Sequence, residues 1–307
     1  MTTAQGREAP GWYVRDPGSG EGHHLWYIAE DRAVRADVTN PSGGAGTCFT
    51  AEPGETIWQA LRRMTPWLDG MDDPGPFRRM RLDPGRYHPR IARPLAPAGG
   101  QALWLPDQAG ERRHVTGAQN QLESLIDDLR TICRVVQPTP ATLAVHGHEI
   151  RNLLILAATE VEMHWRGVLA ANGRTVEART AQYVRLAGPL RLRDFTVRFP
   201  PCPEIEPVPP FAGWNAEEST KSLSWYAAYN GVKHNRELEF ERASLGHAFD
   251  AVAACAVMLV AQFGDEALTP EHSSFLSVEA PRWPVEEMYV APRDGGTWQP
   301  TPYPSLG

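Results

Sequence analysis

The sequence has no excess of basic residues, no closely spaced cysteines, no membrane-length apolar run and none of the short motifs that mark the common enzyme classes. Lys and Arg number 30 against 37 Asp and Glu, a formal net charge of −7. Sequence-independent coating of nucleic acid draws its affinity from neutralised phosphates, so this balance excludes it while leaving room for a local basic groove. The four cysteines never form C-x-x-C, which excludes a zinc ribbon or a thioredoxin-type pair. Cys133 and Cys255 fall in apolar helical runs and read as reduced core thiols. The segment Met1 to Pro10 is polar and has no apolar signal region. Phe249 to Phe263 is the nearest approach to a membrane span, but it is short and rich in alanine. A soluble cytoplasmic protein with no membrane partner is therefore expected. Gly18-Ser-Gly-Glu-Gly lacks the helix that a phosphate loop needs, and neither G-x-S-x-G nor H-E-x-x-H occurs. Repeats at solenoid periods are absent as well.

What is present supports a real core. Hydrophobic residues make up 42% of the 307, enough for one large domain or two ordinary ones. The expected class is α+β, with a loop-rich module over 1–115, a helical bundle over 116–268 and an aromatic tail over 269–307. His24 to Glu30, Ala33 to Thr39 and Thr47 to Thr50 read as short strands. A helix starts after Pro53, with Ile57, Leu61 and Met64 on one face. Leu122, Leu125, Ile126, Leu129 and Ile132 recur at three and four, which predicts an amphipathic helix ended by Pro138 and Pro140. A second helix runs from about Thr142 to Ala171, closed by Asn172-Gly173. Residues 177–217 read as an insertion, with a short helix over Val176 to Leu186 and a stiff proline-rich linker over Pro200 to Pro210. Glu217 to Val232 and Phe240 to Phe263 complete an antiparallel bundle. Trp283, Tyr289, Trp298 and Tyr303 predict a tail lying across the body, or a strap that binds a partner.

Two stretches carry candidate chemistry. Phe77 to Arg93 is the most basic, with Arg78, Arg79, Arg81 and Arg86 beside Phe77 and Tyr87 and with Asp83 as its only acid. Such arginines can grip phosphates while the aromatics stack on bases, or they can pair with acids elsewhere on the chain. The other stretch is Trp225 to Arg236, which sets Lys233, His234, Asn235 and Arg236 in a row after a helical stripe of Trp225, Tyr226, Tyr229 and Val232. An imidazole beside fixed cations suits phosphate chemistry, and a cationic helix C-terminus serves the dipole equally well. Glu160 lies on the face of Glu149, with His164 one turn on. It reads either as an acid/base partner of His164 and His234 or as a counter-ion to Lys233, His234 and Arg236. Arg151 and Glu162 share a neighbouring face and are expected at the surface. His146 and His148 cannot share an ion with His164, which lies about 24 Å further along a helix. No metal and no cofactor is expected.

Tyr229-Asn230-Gly231-Val232-Lys233-His234 resembles the signature helix of HEPN-type helical domains. In the nuclease members of that family Arg, a polar residue, three variable residues and His follow in order. Asn230 and His234 occupy the polar and His positions, while Tyr229 stands where the family has Arg. Another Arg-x4-His, at Arg242 and His247, lies beyond this segment and reads as a chance match. The resemblance covers roughly 117–265 and implies an RNA-linked helical domain in a stress or phage-defence setting. It further implies a homodimer through the bundle, since family members cut RNA with an Arg and His supplied twice. Members without that pair bind or assemble.

Two expectations follow from the resemblance. In a catalytically silent binding or assembly module, Tyr229 stacks, His234 and Arg236 are sequestered against Glu160 or the tail, and the N-terminal module recognises a protein partner. In a metal-independent ribonuclease, a toxin or anti-phage effector, His234 is the general acid or base and is reachable in a positive cleft. Lys233 and Arg236 would then stabilise the phosphorane, and Asn230 would hold the phosphate or 2′-hydroxyl.

Overall fold

Short alternating stretches near the N-terminus and long 3.6-period stretches after residue 109 set the architecture, which is α+β. The computed structural model describes residues 10–15, 23–65, 68, 70–96, 109–177, 179–293 and 295–306, without the side chains at 109, 110 and 236. They divide into two compact units.

The N-terminal unit is built on a five-stranded antiparallel sheet. Its strands are β1 (Gly11–Arg15), β2 (His24–Ile28), β3 (Arg32–Arg35), β4 (Cys48–Thr50) and β5 (Phe77–Arg79), in the order β4-β3-β2-β1-β5. The strand pleat sends Tyr13, Trp26, Ile28, Ala33, Phe49 and Phe77 to one face. There they bury against Ile57, Trp58 and Leu61 of helix α1 (Ile57–Met64). Thr56 and Gln59 close a capping box at the start of α1, fixing that boundary. Met64, predicted on the inner face, is 41% exposed instead. β1 and β5 had no counterpart in the sequence reading. Part of the tail belongs to this unit: Tyr289–Val290 pairs in parallel with Leu95–Ala96, and Trp283 lies over the Arg93 guanidinium.

The second unit holds α2 (Ala109–Val135), α3 (His148–Ala171), α4 (Thr180–Tyr183), α5 (Ser224–His234), α6 (Arg236–Glu239) and α7 (Leu245–Phe263). Cys255 Sγ meets Ala157 O and Gln262 Nε2 meets His164 Nδ1, both pairs 98 residues apart, so α3 and α7 run parallel. α2 runs against α3, because His114 faces His164 at one end while Ile132 and Ile150 share a groove at the other. α7 is long and apolar enough to cross a membrane. However, 83% of its most apolar window is buried inside the protein, the setting of a core helix. It starts at Leu245 rather than Phe240 because Ser244 caps it by accepting from His247 N–H.

The expected linker over 200–210 is a wall of the core. Cys202 and Val208 within it, and Phe199 and Phe211 on either side, are buried with the helices. The prolines turn the chain back on itself, so that Val197 and Val208 bond to each other. Thr196–Arg198 pairs with Ser277–Glu279, and Tyr303 packs on His88. The described tail is therefore used in packing, partly in each unit.

Candidate functional site

Helix α5 buries Trp225, Tyr226, Tyr229 and Val232, the stripe its spacing predicts, and presents its polar groups to α3 and to solvent. Trp225 Nε1 donates to Pro210 O at 2.9 Å. The Tyr226 hydroxyl donates to Glu162 Oε1 at 2.6 Å, a charge-assisted bond to α3. Burial first, and then the Glu162 carboxylate, raise the pKa of that hydroxyl, so it stays a donor. Arg166 Nη2 sits 3.7 Å from Glu162, while its Nε donates to the Tyr183 hydroxyl at 3.0 Å. One turn on, Lys233 Nζ donates to the Tyr229 hydroxyl at 2.6 Å, which raises the lysine's pKa and holds its charge. Asn230 Nδ2 donates to Tyr226 O within the helix. The result is a chain of tyrosines, one carboxylate and two cations, each committed to a neighbour.

The predicted site residues separate into groups. Asn230, Lys233 and Tyr229 belong to this cluster. His234 lies at the exposed C-terminal end of α5 and is not sequestered. The Arg236 side chain lies outside the described residues. Glu160 does not face the α5 cations, contrary to its reading as their counter-ion. The residue that does face α5 is Glu162, which was expected at the surface. Two residues apart on a helix is about 200°, so these two carboxylates point to opposite sides.

Glu160 Oε1 stands 3.6 Å from His164 Nε2, at ion-pair distance, yet no ion pair forms there. Burial raises the Glu160 pKa and lowers that of His164 to about 3, helped by His114 and Arg90. The imidazole is neutral, and its Nδ1 accepts from Gln262 Nε2 at 2.8 Å. This sets a pH dependence. Because the folded pKa is depressed, the stability His164 permits is present above about pH 6.5 and is lost as pH falls toward 3. Between pH 6.5 and pH 4 the wild type should lose about 2–3 kcal/mol more than His164→Asn, by urea titration at each pH. Parallel curves would refute a buried neutral imidazole.

The arginine stretch is also only partly available. Arg81 pairs with Glu287 at 2.8 Å, and Arg79 donates to Pro10 O. Among the described residues Arg78 donates to Gly75 O alone, and Arg86 is exposed. Tyr229 is fully buried and has no face to offer a base. Arg242 pairs with Glu239, and His247 Nδ1 donates to Arg242 O, so that motif serves a turn. His146 and His148 both pack on Phe240, beside an apolar groove of about 320 Å³ between α2 and α3. Among the described residues no three His, Cys, Asp or Glu side chains gather to hold a metal.

Sequence reasoning missed Glu162, Arg166 and Tyr183. The available signal was the Glu162-x3-Arg166 spacing on α3, which places an acid and a base on one face. Comparison with protein family models, with curated proteins and with solved structures finds no match for this chain.

Proposed function

We propose that this chain is an RNA-associated, HEPN-like helical module that binds or assembles and does not cut, acting in the cytoplasm in a stress or phage-defence setting. The carrying observation is the commitment of the α5 polar groups: Lys233 to Tyr229, and Tyr226 to Glu162. A phosphoryl-transfer site needs donors preorganised around the place where charge develops. Here the lysine that would stabilise that charge is bonded to the tyrosine standing at the family's arginine position. Leu156 and Met163, two turns apart on α3 and 48% and 52% exposed, offer apolar surface for assembly.

A ribonuclease is the second reading, favoured by one observation: His234 is exposed. It requires a second copy to bring another cluster across a dimer interface. The test is a mixed labelled RNA pool incubated with wild type and with His234→Ala in EDTA, with melting curves for both. Intact RNA in both reactions, with equal melting temperatures, is the expected result. Cleavage by wild type alone would replace this reading with the metal-independent nuclease.

A further inference from the structure

We propose that the outer face of the N-terminal sheet binds single-stranded nucleic acid, with Trp12 and Tyr27 stacking on bases and Arg32 and Arg78 holding phosphates. The inference rests on the RNA-associated reading above and names where the RNA would lie.

The sheet's inner face is filled by α1. On its outer face Val14 and Leu25 are covered by Met80, Ala96, Val285 and Val290. The rest of that face carries one row across four strands: Trp12 opposite Tyr27, Tyr27 opposite Val34, and Val34 opposite Cys48. None of the four is buried, and Tyr27 is 40% exposed. Trp12 and Tyr27 pack edge to face with ring centroids 5.1 Å apart. That geometry occupies at most one ring face of the pair.

Two cations flank the row. Arg78 stands opposite Val14 on β5, one diagonal step from Trp12, and Arg32 precedes Val34 by two residues on β3. Both are exposed. Among the described residues Arg78 makes one bond, to a backbone oxygen, and Arg32 pairs with no carboxylate. By contrast Arg63, Arg81 and Arg35 in the same unit are all ion-paired. Guanidiniums that meet no acid among the described residues, beside the exposed Tyr27 and the half-buried Trp12, are complementary to phosphate and base together. Four strands at about 4.8 Å spacing give a row about 14 Å wide, which suits two or three bases. Stacking needs a base free of its partner, so a single strand fits and a duplex does not.

The experiment is fluorescence anisotropy of a labelled oligouridylate with the full chain, comparing wild type, Tyr27→Ser and the pair Arg32→Glu with Arg78→Glu. Circular dichroism melting guards against unfolding. Tyr27→Ser should weaken binding about tenfold, and the arginine pair should lower the slope of log affinity against log salt by about 1.4. An oligouridylate annealed to its complement should bind more weakly. Wild-type binding that none of these variants alters would overturn this face while leaving RNA association in place. Equal affinity for single strand and duplex would overturn stacking. No binding by the wild type would overturn both this face and the RNA part of the function.

Discussion

Trp165→Ala is expected to lower the unfolding free energy by about 3–5 kcal/mol, a large share of what a domain of this kind possesses. The indole is fully buried in α3 beside five aromatic rings. It stacks on Trp214 at 4.8 Å and meets Tyr183 at 5.2 Å, Tyr226 at 5.3 Å, Phe211 at 6.3 Å and Trp225 at 6.4 Å. These neighbours come from α4, α5 and the stretch just after the prolines, so the cavity cannot close by moving one of them. The site is loosened at the same time, because Trp165 packs on Tyr226, the residue that donates to Glu162. Denaturant unfolding followed by near-ultraviolet circular dichroism measures both effects. Leu156→Ala, on the exposed side of the same helix, is the control and should cost under about 0.5 kcal/mol. A loss of less than about 1 kcal/mol for Trp165→Ala would mean that the aromatic cluster does not hold α5 in place.

Asp250→Asn is expected to stabilise the protein above neutral pH. Asp250 is the only acid in α7, and burial pushes its carboxyl up to about 7. The unfolded chain ionises near the ordinary carboxylate value, so the fold holds a proton that the unfolded state releases. Stability is full below the unfolded pKa, falls as pH rises toward 7 and is level above it. At about 1.4 kcal/mol per pH unit, the gain from Asn at pH 8 relative to pH 4 has an upper bound of about 4 kcal/mol. His164 has the opposite slope over part of this range, so each residue must be compared with its own variant. A difference between wild type and Asp250→Asn that does not change with pH would show that Asp250 is ionised in the fold.

The long helices were legible because burial on one side imposes a 3.6 period that no other structure produces. Ile150, Leu154, Ala157, Val161 and Trp165 read as a stripe and are buried as one. Strands β1 and β5 were not legible. Each is short, and what makes it a strand is a partner elsewhere: Tyr13 opposite Trp26, and Arg78 opposite Val14. The proline-rich segment misled because proline fixes a turn without saying what the turn encloses. The α3 carboxylates show the same limit at the site. A helical wheel places Glu160 and Glu162 on different faces, but it cannot say which face meets α5. That is settled by the hydroxyl of Tyr226, 64 residues away. Trp12 and Tyr27 were hidden for a related reason, since only the sheet register sets them side by side.

The central claim is that the Tyr226 hydroxyl fastens α5 to Glu162 of α3. A double-mutant cycle on unfolding free energy, using Tyr226→Phe, Glu162→Gln and the pair, tests it most directly. A partly buried charge-assisted bond of 2.6 Å should give a coupling of about 1.5–3 kcal/mol, with His234→Ala neutral in the same assay. A coupling below about 0.5 kcal/mol would contradict the account, because the two groups would then be held together for some purpose other than the fold.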